Sequence, residues 1–353
     1  MNTNVDGPRP CRPDELAQVI GLVDAAMRQG SDQTLLTDYP LVYAPDNLPN
    51  VHVVAVDGRL VATAPVLPRR VRGPGYEYVA GIISPTATDP DYQHRGFGGA
   101  CVRACIARME ESGAAISVLW TQVATFPFYE LDGYQAVLAD LELVSVAGAD
   151  FVRFRDGGER MTDLDVADAA ALAAVRDLHE ADGPGVVRRP EDWPRLLSLP
   201  KMRTRLAIRY GVVVAYLVDS RATNKPGVVE GGGDPAALET LFHRALRDRQ
   251  PGERVPVALM RTGHVLRRVV LQRLGDDARP TPGGHTMVRI NDPAALWRAI
   301  GQAGAPPAMD RRTLASIVFG PHPERPVDVP AGVAADLAAS FPIELPIPPL
   351  DHS

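Results

Sequence analysis

Lysine is nearly missing: Lys201 and Lys225 are the only two in 353 residues, and arginine carries the rest of the positive charge, a pattern that a GC-rich genome explains. Acidic residues outnumber basic ones, 43 against 37, for a net charge of -6. Nucleic-acid binding needs a Lys/Arg surplus to displace counterions, so the balance argues against that partner. Cysteine is scarce as well. Cys11, Cys101 and Cys105 make an odd number with the last two one helical turn apart, neither a disulfide framework nor a zinc spacing. A reducing, cytoplasmic setting is therefore expected. His264 and His285 lack a partner at metal spacing, so no metal site is expected. No stretch approaches about 18 uninterrupted apolar residues. The opening MNTNVDGPRPCRPDEL has no basic segment followed by an apolar one, which disfavours secretion and membrane spanning.

What is present is ordinary for a globular chain: 45% hydrophobic and 23% charged residues. At about 150 residues per domain, the length predicts two domains, or two and a tail. Leu16, Val19, Ile20, Val23 and Met27 recur at helical spacing after Pro13 and Asp14. Two β-type runs, 51–56 and 60–67, flank Asp57-Gly58 as in a hairpin. A third run, 76–88, is broken by DPDYQHRGFGG before a helix over 100–109. Then come a buried strand at 116–120, a short helix at 126–131 and a strand at 137–146 expected to pair back. After FRDGGERMTD the rhythm returns: helix 166–179, β-runs 204–218, helix 235–247, β-run 255–260, helix 264–274 and strand 285–290. Trp193 and Trp297, in helical contexts, read as core. Two short helices, 294–300 and 311–318, lead into FPIELPIPPLDHS, which its prolines keep extended. The expected division is 1–150, 151–292 and 293–353.

The loop Gln93-His94-Arg95-Gly96-Phe97-Gly98-Gly99 lies between a strand and a helix, where unpaired N–H groups and the helix dipole favour an anion. Glycines let the backbone approach phosphate oxygens, and Arg95 adds a charge at the rim. A dinucleotide fingerprint needs G-x-G-x-x-G and a P-loop needs G-K-[ST]; Ala100 and Cys101 after the glycines exclude both. What stands is Q-x-x-G-x-G preceded by ATDP, which resembles the acetyl-CoA motif of the GNAT acyltransferase superfamily. The resemblance implies a bulged central strand on which Thr86, Ala87 and Thr88 meet pantetheine, while Gln93, His94, Arg95, Gly96, Phe97, Gly98 and Gly99 form the pyrophosphate loop. FYELDGY, Phe128 to Tyr134, is similar to the family's F-Y-x-x-x-G-[FY] element. It implies Tyr129 as the acid that protonates the departing thiolate, since a tyrosine with a pKa of about 10 is protonated at neutral pH. Phe126, Phe128 and Tyr134 read as packing residues, with Phe128 also counted among the coenzyme contacts. Glu77 lies too early in its strand to match a family base.

The whole chain resembles the tandem-GNAT acetyltransferases of the enhanced-intracellular-survival type. That resemblance implies an α+β protein of two GNAT units, each a mixed, mostly antiparallel sheet flanked by helices. The second unit is expected to be degenerate, because Val228 to Asp234 stands where a coenzyme loop would lie yet lacks the motif. In that group a terminal carboxylate serves as base; only about 60 residues follow Ile290, too few for its full C-terminal domain. A tail threading back would still offer Asp351, His352 or the Ser353 carboxylate, and Ser353 is the candidate base. The implied activity is acetyl-CoA-dependent N-acetyl transfer to a small primary amine, with a cationic acceptor such as an aminoglycoside or polyamine suiting the acidic chain. Alternatives are another acyl-CoA, an O-acceptor, or acyl-CoA binding without turnover. Acetyl-CoA is then a co-substrate, and a homo-oligomer is implied by the resemblance alone.

Overall fold

Asp57 and Gly58 both take positive φ, 50° and 83°, the geometry of the tight turn that joins twisted antiparallel strands. The computed structural model describes residues 4–29, 34–139, 141–221, 225–260, 263–328 and 340–352. The chain opens with β1 (Val5–Pro10), which the sequence reading misses because of Pro8 and Pro10. Both prolines are tolerated because β1 is an edge strand that pairs only with β2. Then follow α1 (Leu16–Met27), α2 (Leu35–Asp38), β2 (Val51–Val56), β3 (Arg59–Gly73), β4 (Tyr76–Ile83), β5 (Ala87–Thr88), α3 (Phe97–Glu111), β6 (Ile116–Thr121), α4 (Phe126–Glu130) and β7 (Gln135–Val137). Next come β8 (Leu141–Ala147), β9 (Arg160–Asp163), α5 (Ala169–Ala181), β10 (Gly185–Val187), α6 (Asp192–Leu197), β11 (Arg203–Arg209), β12 (Val212–Arg221), β13 (Lys225–Gly233), α7 (Pro235–Arg247), β14 (Arg254–Met260) and α8 (Val265–Leu274). β15 (Thr281–Pro282), β16 (His285–Ile290), α9 (Pro293–Ala299) and α10 (Arg311–Phe319) complete the order.

Two mixed sheets result, ordered β1-β2-β3-β4-β6-β16-β7 and β15-β8-β14-β13-β12-β11-β9, with β5 and β10 pairing β3. Parallel pairing joins β4 to β6 and β13 to β14; the other ladders are antiparallel. Helices flank both sheets, so the fold is α+β as expected. The sheet membership of two strands does not follow the expected limits at 150 and 292. β8 does not pair back onto the first unit; it lies beside β14, with Val144 opposite Val257. In exchange β16 leaves the second unit and inserts between β6 and β7, with Thr286 opposite both Trp120 and Val137. Periodicity marks each segment as a strand, but nothing local specifies which distant partner it meets.

The second unit departs from the first where a phosphate loop would be. Val228 to Gly233 form strand rather than loop, laddered to β12 from Val218–Glu230 to Ala215–Gly233. Asp234 follows at once as the cap of α7, its carboxylate accepting from Ala237 N at 2.9 Å. A carboxylate there satisfies the helix N-terminus and repels an anion.

One core is shared by both units. It joins Val53, Ile82 and Val118 of the first sheet to Val175 of α5, Trp193 of α6, Tyr216 and Val218 of β12, and Leu345, Ile347 and Leu350 of the tail. Trp193 and Trp297 are both buried. A closed ion cluster sits in this shared layer. Arg188, fully buried, donates to Glu230 at 2.5 and 3.0 Å and to Asp351 at 2.6 and 3.0 Å. Arg69 of β3 donates to Asp192 at 2.7 Å and to Asp351 at 2.9 Å. Burial opposes the Glu230 charge, but Arg188 and His179 hold its carboxyl well below the usual range. Its stabilising contribution is complete above the unfolded-chain value of about 4.3 and is lost as pH falls through the depressed folded value.

Removing one partner of a buried pair leaves charge without water or counter-charge, so Arg188→Ala is expected to cost about 3–5 kcal/mol. Urea unfolding at neutral pH checks this; a loss below about 1 kcal/mol, typical of an exposed pair, would show the cluster to be open to solvent.

Candidate active site

Register builds the site. β3 pairs β4 up to Val66–Ile83 and takes up β5 at Thr63–Ala87. Three steps along β3 thus match four along its partner, so one extra residue bulges out between Ile83 and Ala87. β4 and β6 pair only from Ala80–Ile116 to Ile82–Val118 and then part. The opening lies between the bulge and the C-terminal end of β6. Gly81 keeps α3 close beneath it: a Cβ there would lie 2.4 Å from Met109 Sδ.

The glycine loop crosses this opening. Asp89 starts it, accepting from Asp91 N at 3.0 Å and from Arg59 at 2.5 Å. Gln93 Nε2 reaches Thr88 O at 3.4 Å. His94 and Gly96 take φ of 59° and 83°, turning successive amides before α3 begins. Open space surrounds Gly96, whereas a Cβ at Gly98 would fall 2.6 Å from Thr88 Oγ1. The backbone of Gly98 thus approaches Thr88 as closely as only glycine permits.

A cleft of about 580 Å³ is lined by Thr86, Ala87, Thr88, Gln93, His94, Gly96, Phe97, Gly98, Gly99, Phe128 and Tyr129. The structure therefore gathers every coenzyme candidate named from sequence except Arg95, whose guanidinium lies 5.0 Å over the Tyr92 ring. Tyr92, Arg103, Thr125 and Asp132 also line it and were missed. Arg103 was legible, since it follows Gly99 by one helical turn and so shares its face. Phe126 and Tyr134 are fully buried packing residues.

Tyr129 lies edge-on to Phe128 at 4.8 Å and to Tyr134 at 5.9 Å. Burial raises its phenol pKa, against a smaller opposing effect of the Thr86 hydroxyl, so it holds its proton through neutral pH. Thr86 Oγ1 is itself buried beside that phenol. A buried hydroxyl on a bulge beside a glycine cradle fits the amide-bearing arm and phosphates of acetyl-CoA.

The tail reaches the other side of the opening. His352 stacks on Trp120 of β6 with centroids 3.7 Å apart and donates through Nε2 to Ile347 O at 2.8 Å. Asp351 is committed to Arg69 and Arg188, which makes it an anchor rather than a base. Ser353 lies outside the described residues. Glu77 faces solvent in a pair with Arg70, away from the cleft. His285 does have a partner: its Nδ1 lies 3.0 Å from Nε2 of His322. His264 is buried, which lowers its pKa to about 4.

Residues 8–137 match the family model described as acetyltransferase (GNAT) domain. The N-terminal unit is thus similar to a GNAT acetyltransferase domain. The match ends with β7, so the first sheet is completed by a strand, β16, from outside the matched residues. No curated protein sequence matches the chain. Among solved structures, a GCN5-related N-acetyltransferase of Kribbella flavida is 18% identical with a TM-score of 0.64, over 84% of this chain and 74% of that one. Another from Anabaena variabilis is 13% identical with a TM-score of 0.65, over 84% and 75%. Eis1 of Mycobacterium abscessus is 16% identical with a TM-score of 0.55, also over 84% and 75%. These likenesses show a shared fold running through both units.

Gly98→Val would drive a branched side chain toward Thr88 and the Phe128 ring. It is expected to weaken acetyl-CoA binding at least about tenfold, or about 1.4 kcal/mol. Thermal-shift titration checks this, and unchanged affinity would remove the loop from the coenzyme site.

Proposed function

We propose that the chain catalyses acetyl-CoA-dependent N-acetyl transfer to a primary amine by direct attack on the thioester. The observation that carries this reading is the convergence of the bulge, the glycine loop and Tyr129 on one cleft. The amides of the loop and of the first turn of α3 bind the pyrophosphate. Backbone N–H groups at the bulge donate to the pantetheine arm and stabilise the carbonyl oxygen as charge gathers on it. The acceptor nitrogen forms a bond to the carbonyl carbon as the carbon–sulfur bond breaks. Tyr129 gives its proton to sulfur and regains one from water, while the amine releases one proton as the amide forms. The Ser353 carboxylate is the proposed base for that proton, following the family resemblance; His352, the residue before it in sequence, stacks on Trp120. A cationic acceptor, aminoglycoside or polyamine, is the class suggested by the net charge and the resemblance. The buried, free cysteines support a reducing, cytoplasmic setting.

Tyr129→Phe keeps the ring and removes the proton. It is expected to lower kcat by about 10²–10⁴ while leaving acetyl-CoA affinity unchanged. Thiol release across an amine panel, with thermal shift alongside, checks both; unaltered kcat would overturn the acid role. A coenzyme shift with no turnover of any amine would make the chain a binding protein.

A further inference from the structure

We propose that the acceptor is a primary amine on an apolar or aromatic body, held in a pocket built jointly by the two units. This rests on the acyl-transfer reading above, and the pocket walls set it against the polycationic acceptors that the net charge suggests. A cavity of about 400 Å³ opens at the C-terminal end of β6, where β4 has already parted from it. Trp120 and Thr121 form its near side, and Leu143, Val229 and Ala258 of the second unit form its far side. Thr121 and Thr125 share a hydroxyl hydrogen bond at 2.5 Å. Since Thr125 lines the coenzyme cleft, this hydroxyl pair joins the walls of the two cavities.

The chemistry of the walls selects the ligand. Among the described residues lining the pocket no carboxylate or guanidinium occurs; the ionisable groups are the imidazoles of His285 and His352. The carboxylates nearby are committed elsewhere: Glu142 to Arg267, Glu230 to Arg188, and Asp351 to Arg69 and Arg188. A polycation would bury several ammonium groups against these walls without partners, which is costly. An apolar body instead loses water against Leu143, Val229 and Ala258 and meets the face made by Trp120 and His352. Neutral walls also favour the uncharged amine, the form that attacks the thioester.

The test compares thiol release from acetyl-CoA with 2-phenylethylamine and tryptamine against spermidine and kanamycin, in the full chain and in Leu143→Glu. Leu143 is half-buried on the far wall, so the variant adds a carboxylate where none stands. The expected kcat/KM for the apolar amines exceeds that for the polycations by at least about tenfold, and Leu143→Glu narrows or reverses the ratio with the acetyl-CoA thermal shift retained. Polycations as the better substrates of the natural chain, or turnover of no amine despite a coenzyme shift, overturn the proposal. Loss of the acetyl-CoA shift in the natural chain overturns the acyl-transfer reading itself. Should the variant not fold, the acceptor ranking of the natural chain decides alone.

Discussion

A guanidinium gives up its water only when carboxylates replace that water on several sides, and Arg188 meets this condition through Glu230 of β13 and Asp351 of the tail. Arg69 of β3 shares Asp351 and takes Asp192 of α6 as well. Four segments from distant parts of the chain are thereby required in one place, since any one missing strands a buried charge. The contact between Arg69 and Asp351 spans 282 residues. Through it the tail is drawn inward, and His352, next along the chain, comes to lie on Trp120. The wall of the proposed acceptor pocket is in this sense a by-product of charge balance in the layer beneath it.

The exchange of β8 and β16 has the same effect on the backbone. Each sheet is completed by a strand from the other half, and the core between them runs without a break from Val53 to Val218. Relative motion of two such units would break ladders as well as apolar contacts. A pocket shared between them therefore keeps its shape, which suits the positioning of an amine against a thioester.

Legibility followed the range of the interactions involved. The Asp57-Gly58 turn, the α1 stripe and the loop from Gln93 to Gly96 depend on neighbours in sequence, and each lies where its residues place it, although α3 already begins at Phe97 and takes in the last two glycines. The helix over 235–247 matches as well, because Asp234 caps it and Arg247 closes it. Thr86 to Thr88 and Tyr129 reach one cleft because the motifs carrying them encode a local bulge and a short helix. The edge strand Val5–Pro10 was hidden by prolines that only its place at the margin permits. Partner choice for β8 and β16, and the burial of Asp351, depend on residues more than a hundred positions away, on which no spacing rule bears. Arg103 lay within reach of helical geometry, one turn beyond Gly99.

The place of β16 also governs when the protein can finish folding. Ser117 of β6 finds its hydrogen-bond partner in Asn291, 174 residues later. During synthesis, therefore, the N-terminal half leaves the ribosome with a slot open between β6 and β7 that stays unfilled until residues 285–290 have been made. Whatever sits in that slot meanwhile must be displaced by the right strand, so the molecule's vulnerability to aggregation is concentrated in its own biogenesis rather than in its mature state.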